Sequence, residues 1–190
     1  MAKFFGNLWA VLAVGTLLAA GMFFGHMGGF TQMKGFLTFL HVLCGIMWIG
    51  HLYYFNFVQI PTMPTIPAEL KPGVSKYIAP KALFWFRWGA AATVLTGLSV
   101  SEISGYTVEA LTLQEGYRAI GTGMWFALIM AFNVWFIIWP AQKKALGIVE
   151  ADADTKAKAA TRAMIFSRTN TLLSIPMLLA MVMQNLGGAF

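Results

Sequence analysis

Only one cysteine, Cys44, occurs in the 190 residues, and charged residues make up only 11% of the chain. A lone cysteine excludes an intrachain disulfide, a Cys-x-x-Cys-His attachment site for c-type haem and a four-cysteine zinc or iron–sulfur site. Cys44 itself reads as a small packing residue. The scarcity of charge, set against 58% hydrophobic residues and a mean hydropathy of +0.69, excludes an ordinary soluble domain. Acidic side chains number only seven. None lies in the interior of an apolar run, Glu102 standing at the very end of the third, which removes the buried general acid or proton relay that a pump needs. Histidine is scarce too: His26, His41 and His51 are the full set.

What remains is long apolar stretches. Runs of about 20 apolar residues cross the hydrocarbon core as helix, and five are present: roughly Gly6 to Phe24, Phe36 to Ile60, Ala82 to Ile103, Ala119 to Trp139 and Ile165 to Leu186. The expectation is an all-α integral membrane protein, a bundle of five transmembrane helices forming a single domain over residues 1–190. Lys3 followed by an apolar stretch ending in Ala19-Ala20-Gly21 imitates a secretory signal. With the chain beginning at Met1, the segment is expected to be retained.

The net charge of +6 is explained by its placement. Lys3, Lys71, Lys76, Lys81, Lys143, Lys144, Lys156, Lys158, Arg162 and Arg168 fall on one side of a five-span arrangement. Lys34 and Arg118 fall opposite, and Arg87 lies inside the third span near its basic end. The positive-inside rule then puts the N-terminus in the cytoplasm and the C-terminus outside. Charge set by topology makes membrane lipid the expected partner and nucleic acid an unexpected one.

Between Gln59 and Pro80, five prolines (Pro61, Pro64, Pro67, Pro72 and Pro80) predict an ordered, extended loop along the cytoplasmic surface. Residues 151–163 combine strong helix formers with Asp152 and Asp154 at their start, predicting a cytoplasmic extension of the fifth helix. Ser101 to Gln114 is polar and predicts a short surface helix outside. Trp85, Trp88, Trp125, Trp135 and Trp139 read as interface anchors, and Gly89, Gly97, Gly121 and Gly123 as points of close helix packing.

Ionisable groups at membrane depth are functional candidates by default, and imidazole is a common metal ligand. On the second helix His41 lies about 7 Å below the outer end and His51 about 15 Å deeper, so the two cannot share one metal. They also differ by about 80° around the axis. His41, Gly45, Trp48 and Leu52 share one face, while Met47, His51, Tyr54 and Val58 share its neighbour. Gly45, one turn from His41, leaves room for a flat macrocycle. His26, at the outer end of the first helix, can reach the depth of His41, and a His26/His41 pair would hold a b-type haem. Met22, His26, Met27 and Met33 offer instead a thioether and imidazole set suited to Cu(I). Against both stands the reading of His41 and His51 as polar groups bonded to a neighbouring hydroxyl or carbonyl. Arg87 is a candidate for snorkelling to headgroup phosphate or for pairing with a haem propionate or anionic substrate. Asn133, Arg168, Asn170, Thr171 and Ser174 are expected to form one interhelical polar network with His51.

Several segments in order carry a resemblance: His41 with Trp48-Ile49-Gly50 and Tyr53-Tyr54-Phe55, Trp85-Phe86-Arg87-Trp88 with Thr96-Gly97, Asn133-Val134-Trp135 with residues 139–144, and residues 167–171 with residues 174–177. Over about residues 37 to 185 the chain resembles the membrane domain of bacterial membrane-bound urate hydroxylases, the urate oxidase N-terminal type. More distantly it resembles membrane protoporphyrinogen oxidase and copper-resistance membrane proteins. The resemblance implies a multi-pass protein of the bacterial inner membrane and a haem-associated helical core with His41 as a haem ligand. The family pattern carries further histidines near the positions of Gly121, Thr169 and Leu186, so urate oxidation itself does not carry over.

The leading expectation is therefore a b-type haem protein passing electrons between the membrane pool and an external cytochrome or quinone. His41, His26, His51 and Arg87 are its candidate cofactor contacts, and the three histidines its candidate metal ligands. The alternatives are a non-catalytic accessory subunit of a larger membrane complex and a copper-handling protein. Glycine-rich faces make a homo-oligomer plausible, and no enzymatic activity is assigned.

Overall fold

The computed structural model describes residues 1–25 and 28–185, and every regular element among them is helical. After a single turn at Ala2–Phe5, α1 spans Leu8–Gly25. Asn7 caps it, its side-chain oxygen accepting from the backbone N–H groups of Trp9 and Ala10 at 3.1 and 3.2 Å. Then come α2 (Met33–Tyr53), α3 (Ala79–Ile103), α4 (Thr107–Leu111), α5 (Arg118–Phe132), α6 (Trp139–Ala145) and α7 (Ala153–Asn185). Four helical stretches among the described residues are long and apolar enough to cross a membrane: Leu8–Gly25, Met33–Thr65, Arg118–Ala145 and Ala153–Gln184. They match four of the five expected spans. The third, α3, has 25 residues but is not among the four. Arg87, Thr93, Thr96 and Ser99 dilute its apolar character.

Neighbouring helices run antiparallel. Rising positions on α2 and the π-turn that continues it meet falling positions on α3, from His41 beside Thr93 to Phe55 beside Phe86, and Trp88 and Arg87 of α3 likewise meet Trp135 and Trp139. Asn133 meets Asn170, and Gly123 meets Ala180 further along. The core is Trp48, Leu52, Phe86, Met130 and Val134, each at most 1% exposed. Glycine sets the closest approaches. A Cβ on Gly89 would stand 3.1 Å from the backbone nitrogen of Trp48, one on Gly123 2.8 Å from Ala180 Cβ, and one on Gly121 would overlap the Ala110 carbonyl. In contrast, α1 buries none of its side chains, though Phe23 near its end touches Phe36 of α2 at 5.1 Å between ring centroids.

Three π-helical turns, Tyr54–Gln59, Val74–Ile78 and Asn133–Ile138, each run up to a proline two positions beyond: Pro61, Pro80 and Pro140. Proline has no N–H and crowds the carbonyl four residues earlier. The residue before it bonds five residues back instead: Ile60 to Phe55, Ala79 to Val74 and Trp139 to Val134. The wider turn lets the helix continue. This corrects the expectation of an extended loop from Gln59 to Pro80. Helical turns occupy Ile60–Thr62, Met63–Thr65 and Lys71–Gly73, each with proline at its first or second position, where the missing N–H costs nothing. The surface helix expected near Ser101 to Gln114 is α4. The expected extension of the last helix is the start of α7, where Asp152 accepts from the Thr155 amide at 2.8 Å and its hydroxyl at 2.7 Å.

Candidate functional site around the histidines of the second helix

His41 lies on the face of α2 that meets α3. Its Nδ1 is 3.0 Å from the Thr93 carbonyl oxygen and 3.3 Å from Thr96 Oγ1. A carbonyl only accepts, so Nδ1 carries the proton and donates to it, and Nε2 keeps its lone pair. Thr96 Oγ1 donates to the Ala92 carbonyl at 2.7 Å, so it too meets Nδ1–H as an acceptor. The ring presses on Gly97, where a Cβ would stand 2.8 Å from His41 Cε1 and 3.1 Å from Nδ1. Gly45, where room for a macrocycle was expected, is open, a Cβ there meeting only Thr93 Cγ2 at 3.9 Å. The space for the imidazole comes from the neighbouring helix. A histidine held this way through Nδ1 presents Nε2 in the tautomer and orientation in which imidazole ligates metals.

His51 is bonded differently. Its Nδ1–H donates to the Met47 carbonyl of its own helix at 2.6 Å, and its ring lines an open groove of about 640 Å³ with Met47, Tyr54, Tyr77, Lys81 and Trp85. It takes no part in the interhelical network. That network consists of Asn133 donating to Asn170 (2.8 Å), Asn170 donating to the Met130 carbonyl (2.9 Å), Tyr53 with Ser174 (3.0 Å) and Asn56 donating to Ser167 (2.8 Å). Asn170 and Ser174 are wholly buried, whereas Arg168 is exposed outside the network. The expected grouping fails at His51 because Tyr53, two positions on, points to the opposite side of the helix at 100° per residue. Tyr53 and Ser167 entered the sequence reading only within segments that carry the resemblance, and Asn56 not at all. Their signal was small or hydroxyl-bearing residues at helical spacing facing one another across α2 and α7.

Arg87 stacks on Trp139, with its guanidinium carbon 3.3 Å from the ring centroid, and lies 6.0 Å from that of Trp135. Such a contact contributes about 0.5–2 kcal/mol. Its Nε and Nη1 are buried with no hydrogen-bond partner among the described residues. Trp135 and Trp139 thus hold a cation between them, a contact added to the anchor reading of these two. Trp125 donates its Nε1–H to the Leu111 carbonyl at 3.0 Å, tying α5 to α4.

His41, His51 and Arg87 share none of these contacts, so they form three separate places. His26 and Met27 lie outside the described residues, and with them the His26/His41 pair. Met22 and Met33 of the copper set are exposed. Among the described residues no three or more His, Cys, Asp or Glu gather as a metal cage, but haem needs only one or two axial ligands.

Residues 106–190 match the family model described as Urate oxidase N-terminal, the family the sequence resemblance pointed to. The matched stretch covers α4 to α7 and does not include His41, His51 or Arg87. No curated protein and no solved structure matches the chain.

Proposed function

We propose that this is a five-span, multi-pass protein of the bacterial inner membrane, related to the membrane domain of urate hydroxylases, that binds haem b and transfers electrons. The count of five adds α3 to the four strongly apolar stretches: its 25 residues rise about 37 Å at 1.5 Å each, enough to cross. With the basic residues at one end, the N-terminus lies in the cytoplasm and the C-terminus outside.

One observation carries the haem reading: the His41 Nδ1–H bond to Thr93, with the ring seated on Gly97, leaves the Nε2 lone pair with which His41 would hold the group. Bound haem supplies one-electron exchange. The chain's own contribution is to fix the imidazole tautomer and hold the ring between α2 and α3. His26 would be the chain's other candidate to hold the group. Membrane quinol and an external cytochrome are the electron partners this reading calls for.

Protein purified in detergent should show a Soret band with reducible α and β bands, and His41→Ala should remove them while leaving helicity unchanged. Stoichiometric copper with no iron, or haem bound equally well by His41→Ala, would sink the proposal. An accessory-subunit reading draws on α1, whose eighteen residues bury no side chain. In that case the folded, pure protein carries no Soret band and co-purifies with a larger complex, by itself or as a homo-oligomer.

A further inference from the structure

We infer that the groove beside His51 binds the head group of a membrane hydroquinone. Its volume of about 640 Å³ falls within the range of about 300–1,000 Å³ typical of small-molecule sites. Its lining is mostly apolar, but four of the lining residues carry polar side-chain groups: His51, Tyr54, Tyr77 and Lys81. The His51 tautomer is the first selective feature. Because Nδ1–H is committed to the Met47 carbonyl at 2.6 Å, Nε2 is left as an acceptor with no partner among the described residues, on a ring that lines a mostly apolar groove. An acceptor in such a place is costly unless a donor comes to it. Acyl chains and an ionised phosphodiester offer it none, whereas a hydroquinone hydroxyl does.

The second feature is the complementary pair of donors, the Tyr77 hydroxyl and the Lys81 ammonium, on the opposing wall at the basic end of the bundle. They suit the second oxygen of the same ring. The third is local backbone. Tyr54 begins one π-helical turn and Tyr77 lies within another, so both groove walls are re-aimed where their tyrosines stand, as π-turns often do at functional sites. The groove is open rather than enclosed, which lets an isoprenoid tail remain in the bilayer beside Ile46 and Met47. In purpose the inference rests on the electron-transfer reading above, but occupancy of the groove is measured without haem.

The probe is a decyl-substituted benzoquinol titrated into the full-length protein in phosphatidylcholine nanodiscs. Binding is followed by tryptophan quenching, and subtraction of the Trp85→Phe signal isolates the groove. Saturable quenching is expected in the wild type. His51→Leu should weaken it at least tenfold, about the worth of one hydrogen bond in a dry site. Ala82→Trp, which fills the groove without touching a polar group, should abolish it and keeps the test open if the histidine variant fails to fold. Quenching that is linear and identical in wild type and both variants reports partition into lipid and overturns the inference. So does saturable binding unchanged in His51→Leu, or displacement of the quinol by phosphatidylglycerol at equal concentration. A preparation free of haem that still binds the quinol saturably supports the groove while removing the proposed haem function.

Discussion

His41 and His51 are the same residue type on the same helix, and each spends its Nδ1–H on a backbone carbonyl. The difference is where that carbonyl sits. His41 reaches across to Thr93, 52 positions away, and His51 reaches back one turn to Met47. The first bond ties two helices together and is formed only when they dock. The second exists in the isolated helix, stitches nothing, and leaves its ring on a groove wall. A polar group that crosses between helices is fixed by the fold and suits a permanent ligand. One satisfied within its own helix is left for something that comes and goes.

The largest effect expected from breaking a bond of the first kind is at Asn170, which is wholly buried and joins α7 to α5 through Asn133 and the Met130 carbonyl. Asn170→Leu orphans the Asn133 amide in a dry seam. It should cost about 3 kcal/mol, the upper end for an unsatisfied buried donor, read as a loss of thermal stability in detergent. Thr161→Ala removes a hydroxyl that bonds only the Ala157 carbonyl four residues back and should change stability by less than about 0.5 kcal/mol.

The next effect sharpens the contrast between the two histidines through glycine. At Gly97 a new Cβ would stand 2.8 Å from the His41 ring, while at Gly50, beside His51, it meets nothing within 4 Å. Both positions are mid-helix, so each gains about 1 kcal/mol of helix propensity on going to alanine. Gly97→Ala must also push the imidazole off Thr93, with an overpacking and bond cost of about 1–3 kcal/mol. The two variants should therefore differ by about 2 kcal/mol in thermal or denaturant unfolding, with Gly97→Ala the weaker. Equal stabilities would mean that the His41 ring is not clamped.

The same distinction explains what could be read before the fold was known. Local features were legible: four strongly apolar spans, the α4 turn, the acidic start of α7, and the angular separation of His41 from His51, which needs only 100° per residue. Features that depend on which helix faces which were not. Arg87 looked like a snorkelling residue because nothing in the sequence pairs it with Trp139, 52 positions on. His51 was grouped with Asn133 and Asn170 by depth alone, although it is Tyr53 and Asn56, bonded to Ser174 and Ser167, that face α7. The proline-rich connection was misjudged for another reason. Five prolines forbid one uninterrupted α-helical ladder, but they do not forbid short turns that begin at proline or a π-turn that steps around it.

The smallest effect lies outside the membrane, where Asp152 caps α7. Its carboxylate accepts from the Thr155 amide and hydroxyl, and the hydroxyl bond, followed by the amide bond, holds its pKa below the usual aspartate value. A carboxyl whose folded pKa is depressed adds stability that is fully present above its unfolded pKa and is lost as pH falls through the folded one. The start of α7 should thus fray in acid while the His41 and Asn170 contacts, which hold no carboxylate, remain. Hydrogen exchange at the Thr155 amide should accelerate, relative to mid-helix amides, as pH drops through the aspartate range. Asp152→Asn, which keeps an acceptor but no titratable group, should abolish that pH dependence. If it persists in the asparagine variant, the fraying originates elsewhere, and the cap is not what anchors the helix start.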